Sequence, residues 1–245
     1  QNTGDMLMNT GQVFVQKSQM GGSSPVIRGF EASRVLMVID GVRMNNAIYR
    51  AGHVQDCITI DPNMLERTEV IFGPSSTMYG SDALGGTMHF YSRKPQLSTD
   101  DSAYISARAM LRYTTANAEQ TGHIDMNFGW KKWALLTSLT RSDFGNLRMG
   151  ANANPAYGNY DWCRYYVVRH DSIDSVYTNS DPLVQKYTGY SQLDLNQKIL
   201  FQPNEKSSHL LNVQYSTSTD IPRYDRLQQM SGGLPKYAEW HYGPQ

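Results

Sequence analysis

The chain has 245 residues, with 22 Lys+Arg against 22 Asp+Glu and a formal net charge of zero. That balance excludes a surface made broadly basic for nucleic acid, and an acidic tail as well. The longest aliphatic run, Val35 to Ile39, is far short of the about 20 apolar residues that a membrane helix needs, whereas amphipathic barrel strands escape such a criterion.

Residues 1 to about 97 read as short apolar runs punctuated by glycine. Asp5-Met6-Leu7 opens a short helical stretch, Val13 to Val15 is a strand, and Gly21 to Pro25 is a loop. Val26-Ile27-Arg28 resumes extended structure. Val35 to Ile39 is a buried strand ending in a tight Asp40-Gly41 turn, from which Val42 to Met44 returns. Pro62 to Leu65 is a helical turn, and Thr68 to Phe72 is a strand broken by Gly73-Pro74. Gly85-Gly86 precedes a last run, Thr87 to Ser92. Gly29, Gly73, Gly80, Gly85 and Gly86 are expected to serve tight turns or positive φ. No Gly-Lys-Ser/Thr follows the glycines, so the phosphate-loop pattern is not met.

From about Ala103 the pattern changes to long, two-faced strands. Ile105, Ala107, Ala109, Leu111 and Tyr113 share one parity, against Tyr104, Ser106, Arg108 and Arg112. Ile124, Met126, Phe128 and Trp130 then alternate with His123, Asp125, Asn127 and Lys131. A third strand covers Trp133 to Arg141. A fourth sets Leu193, Leu195, Ile199 and Phe201 against Gln192, Asp194, Asn196 and Lys198, and a fifth sets Leu211, Val213 and Tyr215 against Asn212, Gln214 and Ser216. Each has the roughly 9–12 residues that a tilted strand needs to cross a bilayer. Short links at Lys131-Lys132 and Pro203 to Lys206 contrast with a polar, Tyr/Asn/Asp-rich loop from about Phe144 to Tyr187 and a second long loop from Ile221-Pro222. Short turns on one side and long loops on the other suit an outer-membrane barrel better than a water-soluble sandwich.

The ordered series Val26-Ile27-Arg28-Gly29-Phe30, Val38-Ile39-Asp40-Gly41-Val42, Leu65 through Phe72-Gly73-Pro74 to Tyr79-Gly80, and Ser81-Asp82-Ala83-Leu84-Gly85-Gly86-Thr87-Met88 resembles the plug domain of TonB-dependent outer-membrane receptors. Receptors of Bacteroides-type bacteria are the nearest in pattern. The resemblance implies an α+β plug domain, residues 1–97, followed by antiparallel transmembrane β-barrel strands, residues 98–245. Together they would be an incomplete part of a plugged barrel of about 22 strands. Such a barrel needs on the order of 450 residues, so the segment is expected to be an internal piece without its TonB box. The expected location is the bacterial outer membrane. The expected partners are its lipid, the TonB-ExbB-ExbD inner-membrane complex and a small-molecule iron or haem substrate.

The resemblance also implies site residues. Arg28, Glu66 and Glu69 are expected to lock the plug to the barrel wall, ordinary surface charge being the alternative. Asn45, Asn46, Tyr49 and Arg50 offer donors, a ring and a cation to an anionic, partly aromatic ligand. His53, in a Gly-His pair similar to that of haem-uptake receptors, is expected to ligate haem iron or to be an ordinary polar loop residue. Tyr224 and Trp240 are expected at a substrate-catching rim, and Tyr157, Tyr160, Trp162, Tyr165, Tyr166 and Tyr237 at the membrane interface. Asp161, Asp171 and Asp174 fit no calcium-loop spacing. Cys57 and Cys163 fit no metal spacing and are read as ordinary thiols or as a bridge. Catalytic motifs such as Gly-x-Ser-x-Gly and His-Glu-x-x-His are missing from the sequence, so an enzyme is not expected. The implied function is active import of a scarce nutrient, haem first, with no resident cofactor. Ferric siderophore or cobalamin import is the alternative cargo reading, and a non-transporting adhesin or phage-receptor barrel the alternative class.

Overall fold

The structure, a computed structural model, describes residues 2–17, 19–31, 34–44, 57–73, 79–80, 83–152, 156 and 162–244. They form an N-terminal unit and a long antiparallel sheet that packs against it. Helix α1 (Thr3–Asn9) starts where Asn2 and Asp5 cap each other's backbone N–H reciprocally, both at 3.1 Å. Strands β1 (Phe14–Gln16) and β2 (Ser24–Val26) pair as a small ribbon. Beyond them β3 (Val35–Ile39), β4 (Val42–Arg43), β5 (Leu65–Phe72) and β6 (Gly86–Ser92) form a sheet in the order β4-β3-β6-β5, with β3 and β6 parallel. Met37, Met88 and Phe90 on one face of this sheet join Leu7, Val15 and Ile60 in the main core.

The β3–β4 turn has positive φ at both central residues, Asp40 (47°) and Gly41 (86°), the backbone that an Asp-Gly hairpin supplies. Arg28 is a correction to the expected extended run. It takes φ 51°, because Ile27 and Phe30 close a tight turn with two backbone hydrogen bonds of 2.9 Å. Of the five glycines singled out, Gly29, Gly73, Gly80 and Gly86 have positive φ. Gly85 is there for space instead, since a Cβ would lie 2.2 Å from that of Phe30.

The second sheet contains β7 (Tyr104–Thr114), β8 (Glu119–Gly129), β9 (Trp133–Phe144), β14 (Tyr190–Asn204) and β15 (Ser207–Ser218), in the order β15-β14-β9-β8-β7. These are the five expected long strands. The stretch read as a long loop is a correction: it holds β10 (Leu147–Arg148) paired with β13 (Val184–Gln185), and a hairpin of β11 (Tyr165–His170) and β12 (Ile173–Thr178). Mixed composition hid this hairpin, because Val167 faces Val176 but Val168 faces Ser175 and Arg169 faces Asp174, which leaves no regular alternation. Arg169 holds Asp174 through two hydrogen bonds of 2.7 and 2.9 Å, and Tyr166 stacks on Tyr177. The alternation of connection lengths also fails once. The β7–β8 link lies at the same end as the long connections but is a tight turn, with Ala118 at φ 48° and Thr114 bonded to Asn117 at 2.6 Å.

The burial pattern of this sheet is inverted relative to a water-soluble protein. Polar Glu119, Thr121, His123, Asp125 and Asn127 of β8 are buried, as are Ser138 and Thr140 of β9 and Gln192, Asp194, Asn196 and Lys198 of β14. The opposite parity carries Leu111 at 90% exposure, with Ile105, Ile124, Leu139, Leu211 and Val213 also exposed. Trp133, Phe201 and His209 stack in series near the short-turn end of the apolar face, as interfacial aromatics do. A polar inside and apolar outside is what a bilayer-spanning wall requires. Leu139→Arg is accordingly expected to destabilise the complete protein in phospholipid vesicles by about 2–4 kcal/mol. Denaturant titration of folding into vesicles measures it, and an effect no larger than that of Gln120→Arg would argue against hydrocarbon contact.

Candidate functional site at the inner face of the wall

The inward polar side chains of the wall find partners on the N-terminal unit, and these pairs form a seam. At the long-connection end, Met20 and Ile58 pack with Phe144, Tyr190 and Ile221 in a small apolar cluster. Below it, side-chain amides hold backbone carbonyls: Gln192 Nε2 donates to Ile58 O at 2.8 Å, and Gln214 Nε2 to Thr59 O at 3.0 Å. Arg108 Nη2 donates to Asn63 O at 2.8 Å. The Thr140 hydroxyl donates to Asp61, the residue that caps the 3-10 turn Pro62–Met64.

Charged groups follow. Asp125 accepts from Arg93 Nη1 at 3.1 Å and from Arg108 Nε at 2.9 Å, and His123 Nε2 lies 3.0 Å from the same carboxylate. His123 Nδ1 meets Thr140 Oγ1 at 2.7 Å. Toward the short-turn end, Lys198 Nζ donates to Asp40 Oδ2 at 2.9 Å, and Asn212 Nδ2 donates to the same oxygen at 2.9 Å. Ser92 donates to Asp40 through both its N–H and its hydroxyl. At the foot, Asn127 and Gln96 exchange two hydrogen bonds of 2.8 and 3.0 Å. The turn at β3–β4 thus places one carboxylate over the wall, and the end of β6 delivers Ser92 and Arg93 beside it.

Burial by itself works to raise the pKa of Asp40. The Ser92 and Lys198 hydrogen bonds and the Lys198 charge outweigh it and hold the carboxyl below the usual range. Lys198 is 1% exposed, and its charge is answered by the Asp40 carboxylate, with the Ser92 carbonyl accepting a second hydrogen bond at 3.4 Å.

Of the expected locking residues, Arg28 and Glu69 have their described partners on the N-terminal unit, and Glu66 borders the seam. The Arg28 guanidinium lies over the Phe72 ring at 5.3 Å. Glu69 accepts from Arg67 Nε at 2.8 Å and from the Tyr91 hydroxyl at 3.2 Å, so its described partners are on its own sheet. Glu66 lines a polar cleft of about 320 Å³ with Arg93, Lys94 and Asp125. Asn45, Asn46, Tyr49, Arg50 and His53 lie outside the described residues, as do Tyr157, Tyr160 and Asp161. Sequence reading passed over Asp40, Arg93, Asp125, His123 and Lys198 as seam residues. The available signal was a charge on the inward parity of a membrane strand, which must find a partner.

Above the wall, Trp162, Tyr166, Gln185, Tyr187, Gln228 and Tyr237 line a cavity of about 350 Å³ between the two long connections. Trp162, Tyr165, Tyr166 and Tyr237, expected at the membrane interface, therefore line this cavity. Trp240 packs edge-on to Tyr237 at 4.8 Å and under Arg226 at 5.3 Å. Tyr224 turns its hydroxyl to Lys17 O at 3.1 Å. Cys57 is buried and donates to Ser23 O, and it is not bridged to Cys163. Among the described residues no group of three His, Cys, Asp or Glu side chains is arranged to hold a metal. No described helix is long and apolar enough to cross a membrane, which does not bear on crossing by strands.

The sheet topology and the inverted burial narrow the fold to a stopper seated on part of a barrel wall, and the comparisons agree. Residues 1–87 match the family model TonB-dependent Receptor Plug Domain. The N-terminal unit is thus the plug, and the whole is a plug domain followed by antiparallel barrel strands. Three solved structures share this arrangement. A copper transporter, OprC, is 16% identical over 89% of this chain and 28% of its own, with a TM-score of 0.66. The FrpB iron transporter from Neisseria meningitidis (F3-3 variant) is 13% identical over 91% of this chain and 30% of its own, at 0.64. The ferric enterobactin receptor PfeA from Pseudomonas aeruginosa, in complex with enterobactin, is 13% identical over 89% and 30%, at 0.56. The chain spans less than a third of the length of these proteins, and at such identities the likeness shows the fold alone.

The seam makes plug seating sensitive to the deeply buried Lys198. In the complete protein, Asp40→Ala is expected to weaken seating by about 3–5 kcal/mol by leaving Lys198 unanswered, and adding Lys198→Met is expected to recover part of that loss. Hydrogen exchange of β3 and β6 reports it. Because the folded pKa of Asp40 is depressed, its stabilisation is full above the ordinary carboxylate pKa and is lost as pH falls through the lower folded value. Exchange in β3 that stays flat across that acid range would contradict the assignment.

Proposed function

We propose that this chain is the plug and the first wall strands of an energy-coupled importer of the outer membrane, and that its cargo is a metal chelate. The carrying observation is the chemistry of the seam. The plug is fastened to the wall mainly by separate polar ties, with one small apolar cluster at the long-connection end. Each tie exchanges for a hydrogen bond to water at a net cost of about 1 kcal/mol, more for the charged ones. A stopper held in this way stays shut at rest and yields to work applied from the periplasm. Binding alone does not release cargo inward, because a ligand shifts an equilibrium only by its difference in affinity between states. The work is assigned to the TonB-ExbB-ExbD complex and the proton-motive force. A passive adhesin or phage-receptor barrel has no use for such a removable plug.

The structural neighbours include a copper transporter, an iron transporter and a ferric enterobactin receptor, which supports the metal-chelate class. Within it, haem is the first reading. It rests on the Gly52-His53 pair, which follows the Asp40-Gly41 turn and the returning strand β4, and on the resemblance to haem receptors of Bacteroides-type bacteria. Neutral imidazole is a suitable axial ligand to haem iron. Haem titration of the complete receptor is expected to give a Soret shift that His53→Ala abolishes. Equal affinity and an unchanged Soret band in the variant would sink haem ligation by His53. Growth of a deletion strain on siderophore iron but not on haem would support haem as cargo, and the reverse would assign a siderophore.

A further inference from the structure

We infer that Tyr224 and Gly21 form a junction that makes the shape of the outer cavity depend on the seating of the plug. The cavity has two walls. One comes from the β9–β14 connection, with Tyr166, Gln185 and Tyr187, and the other from the segment after β15, with Leu227, Gln228 and Tyr237. Two hydrogen bonds brace them across the gap: Gln185 Nε2 donates to Tyr224 O at 3.0 Å, and Gln228 Nε2 donates to Gln185 Oε1 at 3.2 Å. The same Tyr224 that accepts this brace on its carbonyl donates its hydroxyl to Lys17 O on the plug at 3.1 Å. One residue therefore joins both outer connections to the plug.

A second observation places a tight fit directly beneath. Ile221, three residues before Tyr224, is fully buried, and it sits over Gly21 of the plug. A Cβ at Gly21 would lie 2.8 Å from Ile221 Cγ2 and 3.0 Å from both Ile58 Cδ1 and Tyr190 Cζ. Plug backbone, wall and outer segment meet here at a separation that only glycine permits. Lys17 is in turn fastened to Asp5 of α1, so the junction reaches the helix as well as the ribbon strand.

Coupling of this kind is reciprocal. If seating the plug favours the braced cavity, bracing the cavity favours the seated plug by the same free energy. Tyr224 acts as a positioning residue: its hydroxyl is spent on Lys17 and its carbonyl on Gln185, and its effect on cargo runs through the walls it holds. The link to cargo rests on the importer reading, while the junction itself does not.

The test uses the complete receptor in detergent micelles, with hydrogen exchange read in three windows: plug residues 19–23, outer residues 183–188 and 224–238, and the reference strands β3 and β6. Tyr224→Phe is nearly isosteric and removes only the hydroxyl. It is expected to speed exchange about fivefold in both the plug and outer windows, the scale of one net hydrogen bond, with the reference strands unchanged. Gly21→Ala alters no residue of the outer connections, and it is expected to speed exchange in the outer windows and to shift Trp162 and Trp240 fluorescence. A purely local role for Tyr224 would move its own segment alone, and that outcome overturns the proposal, as does a Gly21→Ala response confined to the plug. If Gly21→Ala fails to assemble, Tyr224→Phe decides by the same criterion. Haem binding is measured alongside. Wild-type protein that binds no haem counts against the cargo reading, while the exchange windows still judge the junction.

Discussion

The structure depends on the satisfaction of polar groups that face inward from a sheet whose other face is apolar. Strands β8, β9 and β14 bury carboxylates, amides, hydroxyls, an imidazole and an ammonium group on the plug side. Such groups are costly out of water unless they are hydrogen-bonded, and a buried charge more so. The plug meets this demand. It does so with backbone carbonyls at Ile58, Thr59 and Asn63 and with charges at Asp40 and Arg93. Plug and wall therefore specify each other: the wall is polar inside because something polar fills it, and the plug tolerates exposed carbonyls because the wall supplies donors.

Two kinds of tie divide the seam. Ties from the Gln192 and Gln214 amides, the Arg108 guanidinium and the Thr140 hydroxyl hold the segment Ile58 to Asn63 against four wall strands, and ion pairs hold the Asp40 turn and the end of β6. The two amide ties carry no net charge and set position. The charged ties depend on each other, because Asp125 serves two arginines and a histidine at once. A network in which one carboxylate has three partners fails as a unit more readily than it fails piecemeal.

Much of this was legible in the sequence. The five wall strands follow from strict alternation over long runs, and the Asp40-Gly41 hairpin from its turn chemistry. The plug was carried by the ordered series from Val26 to Met88. Pairing between the two units was not legible. Register within a strand is local, but which plug residue lies opposite Lys198 or Asp125 is a matter of docking, separated by more than a hundred residues in the first case. Glu69 shows the limit from the other side. Its charge is expected to find a wall partner, and its described partners, Arg67 two positions away and Tyr91, lie on its own sheet. The β11–β12 hairpin is hard to read because apolar pairs such as Val167 with Val176 are interspersed with polar ones, leaving no regular alternation. The expected roles of Asn45, Asn46, Tyr49, Arg50 and His53 belong to the proposal and to its haem test.

The tight β7–β8 turn has a consequence for the mouth of the vessel. Next to it rises the β9–β14 connection with its own two ribbons, and on the far side of that stands the segment after β15. Along this arc the rim steps from a low sill to a high parapet within two strand widths. Gly145, at the root of the parapet, abuts the Asn117 carbonyl of the sill, where a Cβ would lie 2.8 Å away. Among the described residues, the connection beside β7 and β8 is a tight turn while the one after β9 carries two paired ribbons, so the rim of this sheet is uneven.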